Sequence, residues 1–287
     1  MAGELPERHD LSRPAAFDLL TMTSTPRLSF AAALIGAGLF VLPPARAESI
    51  ASAKPAPLPA VFEKGDIRAQ QQALLALGAD QNPDADRILL AQFDRYRAGT
   101  LPPGLWLELF EAASKRDNPA VKARLAEIEQ AREKSRDPVS RYRECLEGGD
   151  AATGRAIFTQ KPEAGCVRCH RVSGVGAEIG PDLTALRQVT DRVFILESII
   201  EPNAVITQGF PNVLLTLKDG KVVSGIVGFE SSEFVVLTSV TDGRRHRIEI
   251  AEIADRKPLP SAMPPGFGII LGKRAVRDLV EFLATLE

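Results

Sequence analysis

The sequence Cys166-Val167-Arg168-Cys169-His170 places two thiols and an imidazole within five consecutive residues, in a chain with only three cysteines and three histidines. Two thiols three residues apart, on a turn that leads into a helix, can form thioethers to the two vinyl groups of one porphyrin. The residue that follows then directs its imidazole at the iron from the same side. The pattern C-x-x-C-H therefore predicts one covalently attached haem c per chain, bound through Cys166 and Cys169, with His170 as an iron ligand.

Two other kinds of site use the same residue types. A structural zinc site needs four ligands, so Cys145 and His246 would have to join the two motif cysteines from distant parts of the sequence. A redox-active C-x-x-C of the thioredoxin type is expected near a βαβ unit, whereas a loop rich in glycine and proline follows this motif. The sequence favours haem over both alternatives.

The N-terminal residues have the pattern of an export signal. Residues 28–42 form an uncharged, mostly apolar run after Arg27, and two prolines and an Ala-Arg-Ala sequence ending at Ala47 follow it. This order predicts a signal peptide over residues 1–47 and a periplasmic or otherwise exported mature protein. The run is shorter than the roughly 20 residues of a membrane-spanning helix, so no stable membrane span is expected after cleavage. An uncleaved anchor or a buried helix is the alternative, and translation starting at Met22 would give a less acidic leader.

Composition and charge exclude several classes of protein. The chain has 287 residues and a net charge of −2, from 35 Lys and Arg against 37 Asp and Glu. There is no positive excess for nucleic acid or an anionic membrane, and three cysteines are too few for a disulfide scaffold. Residues 217–225 resemble the first hairpin of Sm-like barrels, which bind RNA, but an exported chain of this charge is not expected to have a nucleic-acid partner.

The remaining sequence divides into segments of different pattern. Residues 48–62 are rich in proline and alanine and predict an extended linker. Residues 63–147 carry apolar side chains at helical spacing, which predicts four or five short antiparallel helices of a HEAT-like kind, acting as a spacer without a ligand. Residues 207–260 alternate in polarity around the turns Asp219-Gly220 and Asp242-Gly243, which predicts a small antiparallel β meander.

Residues 154–158 before the motif and 180–183 after it resemble those of a class I cytochrome c. In that fold an N-terminal helix, here carrying Gly154 and Phe158, crosses a C-terminal helix, here residues 273–286 with Phe282. The resemblance implies a mainly α fold in which the helical segment precedes a cytochrome c domain over residues 148–287, with the β meander as an insertion.

Three further stretches extend this resemblance over about residues 142–287. Residues 192–203, 218–221 and 262–266 resemble the post-haem helix, the β insertion and the methionine loop of the haem-binding domain family typical of planctomycete and verrucomicrobial proteins. In larger members a dehydrogenase-like propeller lies upstream of this domain.

The resemblance also implies further site residues. Met263 is the only methionine after the predicted cleavage site, and it lies where the fold places its second iron ligand; a core thioether is the alternative reading. The carbonyl of Pro181 is expected to accept a hydrogen bond from Nδ1 of His170. Arg187 and Arg192 are candidate contacts to a haem propionate, or else solvated side chains.

Together these features predict an electron-transfer protein. With His170 and Met263 as strong-field ligands, no substrate needs to reach the iron. The expected partners are an exported dehydrogenase as electron donor and a cytochrome or oxidase as acceptor. The alternative is a haem enzyme or gas sensor with an open sixth iron position, and whether Met263 binds the iron discriminates the two.

Overall fold

The computed structural model describes residues 59–287. The predicted signal peptide, the alternative start at Met22 and most of the predicted linker lie outside this range. The last two linker residues, Val61 and Phe62, begin a short helix, and Phe62 is buried in the helical core. None of the helices in this part of the chain is long and apolar enough to cross a bilayer.

The described residues form helices and antiparallel strands, so the fold is mixed rather than mainly α. The helices are α1 (Val61–Lys64), α2 (Ile67–Ala79), α3 (Pro83–Arg97), α4 (Trp106–Ser114), α5 (Pro119–Glu133), α6 (Ala151–Gln160), α7 (Arg192–Ile200) and α8 (Phe267–Leu283). The strands are β1 (Arg171–Val172), β2 (Val175–Gly176), β3 (Asn212–Leu217), β4 (Val222–Glu230), β5 (Phe234–Thr238), β6 (Arg245–Glu249) and β7 (Ile253–Pro258).

Helices α1–α5 form the helical part that the apolar spacing predicts. Asn82 and Asn118 cap α3 and α5 by accepting hydrogen bonds from backbone N–H groups of the first turn, and a proline follows each cap. The apolar faces of α2, α3 and α4 meet in a core that contains Leu74, Leu89 and Phe93, all fully buried. A HEAT-like arrangement of these helices stays a prediction.

Helices α6 and α8 pack at very close range through a glycine. A Cβ at Gly154 would collide with the carbonyl oxygen of Asp278 and lie 2.8 Å from Cβ of Phe282. The rings of Phe158 and Phe282 have centroids 5.7 Å apart next to this contact. The contact between these two helices, which the family resemblance implies, is therefore present, and it depends on the absence of a side chain at Gly154.

Strands β3–β7 form one antiparallel sheet in the order β6-β5-β4-β3-β7. The first four strands follow each other as a meander, and β7 returns to pair with β3, with Leu215 opposite Arg256. The turns at Gly220 and Gly243 have φ angles of 86° and 69°, which glycine adopts at little cost. The antiparallel meander and both predicted turns are confirmed, and its buried face contains Leu215 and Leu237.

Buried ion pairs join the helical part to α8. Glu108 on α4 is 1% exposed and accepts hydrogen bonds of 2.9 and 2.8 Å from Arg277. Glu144 is equally buried and accepts bonds of 2.6 Å from both Arg132 and Lys273. Buried carboxylates are tolerated when cations pair with them, so the helical part is fixed to α8 by charges that the sequence patterns did not reveal.

Candidate functional site

The C-x-x-C-H motif begins with one tight helical turn, which a short loop over residues 161–165 separates from α6. Gly165 enters the turn with φ 58°, and residues Cys166–Arg168 form a 3₁₀ helix. The backbone N–H of His170 donates to the carbonyl of Cys166 at 2.8 Å, and that of Cys169 donates to the same oxygen at 3.1 Å. Residues separated by three and four positions share one face of such a turn. The turn therefore keeps the two thiols and the imidazole within one short, hydrogen-bonded segment, and their projection to one side stays a prediction from the motif spacing.

His170 is fixed by a backbone carbonyl. Its Nδ1 lies 2.9 Å from the carbonyl oxygen of Pro181. A carbonyl oxygen only accepts hydrogen bonds, so Nδ1 carries the ring proton and Nε2 is left with a free lone pair. Burial lowers the pKa of His170, although the bond to Pro181 opposes this effect. The imidazole is therefore neutral at pH 7, which is the form that binds metals.

The backbone of Gly180 packs against the imidazole face. A Cβ at this position would lie 2.7 Å from Cε1 and 3.0 Å from Nδ1 of His170. The Gly180 N–H also donates to the carbonyl of Cys169 at 2.7 Å. The Gly180-Pro181 pair therefore forms a cradle for the ring that a side chain would fill.

A two-stranded hairpin closes the loop between the motif and this cradle. Strands β1 and β2 pair through Arg171 and Gly176, and Ser173 and Gly174 form the turn with positive φ angles of 49° and 82°. The Ala177 N–H donates to the Val167 carbonyl at 2.9 Å. The loop thus returns to the motif by backbone bonds, which places Pro181 beside His170.

The two motif cysteines are free thiols in partly buried positions. Burial raises the pKa of the Cys166 thiol to about 11, and it raises the pKa of Cys169 as well. Redox-active and metal-binding cysteines are instead thiolates with lowered pKa values. The environment of this C-x-x-C motif thus differs from that of a thioredoxin-type site.

The four residues of the alternative zinc site are not brought together. Cys145 is buried in the C-terminal core, where its thiol donates to the Lys273 carbonyl at 3.3 Å. His246 is exposed on β6, opposite Leu237 of β5. No group of three or more His, Cys, Asp or Glu residues within 59–287 is arranged to hold a metal ion.

A charged network surrounds the cradle, and the sequence patterns did not predict it. Arg171 donates to Asp182 at 2.8 Å and also pairs with Glu178. Arg245 of β6 lies 3.8 Å from the other oxygen of Glu178. Hydrogen bonds from Thr184 and Arg171 lower the pKa of Asp182 to about 2. The pairing of Arg245 with Glu178 joins the five-stranded sheet to the loop that carries Pro181.

Met263 lies in the loop between β7 and α8. It is half-buried and packs against the same apolar core as Cys166 and Leu183. Its N–H donates to Oγ of Ser261 at 3.2 Å, and the Ser261 N–H donates to Asn203 at 2.8 Å. The loop is therefore anchored to the chain after α7, and the thioether belongs to the core that also receives the motif.

The two arginines that are candidate contacts to a haem propionate pair with carboxylates near the C-terminus. Arg192 donates to both carboxylate oxygens of Glu281 at 2.8 Å and to the Leu146 carbonyl at 2.9 Å. The pairing with Glu281 raises the pKa of Arg192. Arg187 pairs with Glu287. Each guanidinium thus has a carboxylate partner, and contact with a propionate stays a prediction for both.

Comparison with known proteins adds no relative to this description. No protein-family profile matches the chain, and no curated protein matches it significantly.

Proposed function

We propose that this protein is an exported c-type cytochrome that transfers single electrons through one covalently attached haem. Cys166 and Cys169 would hold the haem as thioethers, and His170 and Met263 would be the iron ligands. The proposal includes a class I cytochrome c fold for residues 148–287, with the five-stranded sheet as an insertion.

One observation carries the proposal: the ring of His170, which follows two cysteines in the motif, is held in a fixed orientation that suits a metal ligand. The ring is neutral, its Nδ1 is bonded to Pro181, and its face is covered by Gly180. Metal-binding imidazoles normally donate their other N–H to a fixed acceptor, which orients the ring. The backbone of Gly180 leaves no room for a side chain next to the ring, which restricts the ring orientation further.

The thiols suit covalent attachment. Addition of a thiol S–H across a vinyl double bond forms one C–S and one C–H bond, so it needs no oxidant. Both motif cysteines are free thiols, and burial raises the pKa of each. Both cysteines lie within four residues of His170 on one hydrogen-bonded turn, which supports attachment of a single haem to all three residues.

The packing of the C-terminal part supports the same proposal. The glycine-mediated crossing of α6 and α8 and the apolar core beneath the motif are what the resemblance to class I cytochromes implies. Met263 packs on that core immediately before the last helix. When bound, haem c would supply a one-electron iron couple, and a methionine ligand raises its reduction potential.

The role of the residues is to hold the site rather than to transform a substrate. His170 and Met263 would be the two protein ligands of the iron, so neither a general base nor an open coordination site is required. Electrons would come from an exported dehydrogenase and pass to a cytochrome or oxidase, and this assignment rests on the family resemblance. No nucleic-acid partner is proposed.

Covalent attachment is tested by maturing the precursor in a host that attaches haem c and recording the pyridine haemochrome and intact mass. The expected result is one haem per chain with the spectrum of a doubly thioether-linked haem. Cys166→Ala and Cys169→Ala should each shift that spectrum to a singly linked form. Cys145→Ala is the matched control and should retain both links. Haem that is extractable from the wild-type protein with acidified acetone would overturn the proposal.

A further inference from the structure

The helix that follows Met263 is interrupted one turn after it begins. Gly272 has φ 77° and ψ 161°, far from helical values, so α8 consists of a short piece, residues 267–271, and a long piece, residues 273–283. The short piece starts at Gly266, whose carbonyl accepts hydrogen bonds from Ile269 and Ile270 at 3.0 Å. A single helical turn is not stable alone in water, so other contacts must hold it.

The outer side of the short piece is open. Ile269 is 85% exposed and Ile270 is 57% exposed, whereas Phe267 is buried in the C-terminal core. The two isoleucines therefore add little burial to stabilise the turn. The stabilising contacts must come from the inner side.

Tyr142 supplies a contact on that inner side. A Cβ at Gly268 would lie 2.7 Å from Cε1 of Tyr142 and even closer to its hydroxyl oxygen, so the ring rests directly on the glycine backbone. Gly268 itself is buried. The hydroxyl end of the ring therefore makes this contact, and no hydrogen bond of that hydroxyl is found within the described residues.

The residues next to Tyr142 hold the long piece of the same helix. Glu144 accepts a 2.6 Å hydrogen bond from Lys273, the first residue after the break, and Cys145 donates to the Lys273 carbonyl at 3.3 Å. The Lys273 ammonium also lies 5.6 Å from the centre of the Tyr142 ring. The 3₁₀ segment Ser140–Cys145 therefore contacts α8 on both sides of Gly272.

We infer that Tyr142 is a positioning residue for Met263, acting through the short piece of α8. The segment Ser140–Cys145 clamps the two pieces together across Gly272, and this clamp fixes the end of the Met263 loop. The inference rests on the proposed function, because it assigns Met263 to the iron. It gives the predicted helical segment 63–147 a role beyond that of a spacer, since its residues 140–145 hold the loop that carries Met263.

The test uses haem-loaded protein carrying Tyr142→Ala and two readouts. The first is spectroscopic: the sulfur-to-iron charge-transfer band of the oxidised protein should weaken, and carbon monoxide should bind the reduced protein about tenfold faster or more, because the loop opens more often. The second is amide hydrogen exchange, in which residues 259–271 should lose protection while residues 273–283 keep theirs.

Three further variants separate positioning from general destabilisation. Tyr142→Phe keeps the ring and loses only the hydroxyl oxygen next to Gly268, so it should bring both readouts most of the way back to wild-type values. Tyr96→Ala removes the other tyrosine, which packs on Trp106 and Phe110 in the helical part, and it should leave the charge-transfer band intact. Gly268→Ala adds a methyl group that displaces the Tyr142 ring, so it should cause the same changes in both readouts as Tyr142→Ala. This variant keeps the test valid if Tyr142→Ala does not fold.

The outcomes distinguish this inference from the proposed function. Absence of the sulfur-to-iron band in the wild-type protein contradicts Met263 ligation. Hydrogen exchange then still shows whether Tyr142 holds the short piece of α8 in place. A wild-type protein with the band, together with unchanged band and exchange in Tyr142→Ala and Gly268→Ala, overturns the clamp and leaves the proposed function standing.

Discussion

The imidazole of His170 donates its Nδ1 hydrogen to the carbonyl of Pro181 across 2.9 Å. The two residues are eleven positions apart, and the intervening chain forms a hairpin that returns to the motif. Proline has a fixed φ, which helps to hold its carbonyl in place. This pair therefore orients the proposed iron ligand through backbone atoms alone, with no second titratable side chain.

Adding a methyl group beside the ring should disturb this orientation. Gly180→Ala would place Cβ 2.7 Å from the imidazole, closer than atoms pack, so the ring or the loop must move. We expect a lower yield of covalent haem and an altered low-spin spectrum. Gly228→Ala is the control, because a Cβ there meets no atom closer than 3.7 Å. Equal yield and spectra for Gly180→Ala and wild type would argue against the cradle.

Removal of the thioether should open the sixth iron position. Met263→Ala and Met263→Leu should both lose the sulfur-to-iron band and gain rapid carbon monoxide binding in the reduced state. Leucine retains apolar bulk, so this variant should keep most of the stability while losing the band. Rapid carbon monoxide binding by the wild-type protein would instead support a haem enzyme or gas sensor.

The buried ion pair between the helical part and α8 should matter for folding. Glu108→Ala would leave Arg277 buried without its carboxylate, which typically costs about 3–5 kcal/mol. Denaturant unfolding measures this change. Arg87→Ala removes an exposed pair with Asp84 and should change the free energy of unfolding by less than about 1 kcal/mol. A small effect of Glu108→Ala would show that the pair does not hold the two parts together.

Protonation of Asp86 at low pH should lower the stability of the helical part. A hydrogen bond from Arg116 at 2.7 Å lowers the pKa of Asp86 below its ordinary value of 3.8. The folded state therefore binds this proton less tightly than the unfolded state. The stabilisation is present above pH 3.8 and is lost as the pH falls through the lowered value.

Acid titration of stability checks this expectation. Asp86→Asn should be less stable than wild type near neutral pH, and the difference should shrink as the pH falls below 4. Asp84→Asn, a change of an exposed carboxylate on the same helix, is the control. A difference between Asp86→Asn and wild type that stays constant with pH would contradict the pairing.

Short-range patterns predicted the parts of this fold that depend on local chemistry. The turns at Gly220 and Gly243 are specified by adjacent Asp-Gly pairs. The tight turn over Cys166–Arg168 is also local, since its backbone hydrogen bonds join residues three and four positions apart. These features need no knowledge of distant contacts.

Contacts between distant residues could not be predicted in the same way. Glu108 looks like an ordinary polar residue of a helix, and its pairing with Arg277 exists because α4 packs on α8. The contact of Arg245 with Glu178 likewise depends on where the sheet lies against the loop. The sequence predicted the last helix over residues 273–286, but it did not reveal the short helical turn before Gly272 or the positive φ of that glycine.

An optical redox titration of haem-matured protein tests whether this chain is a c-type cytochrome. The expected result is one reversible one-electron transition of a covalently bound haem, with a sulfur-to-iron band in the oxidised state that disappears in Met263→Ala. A protein that holds no haem, or releases it to acidified acetone, would contradict the proposed function.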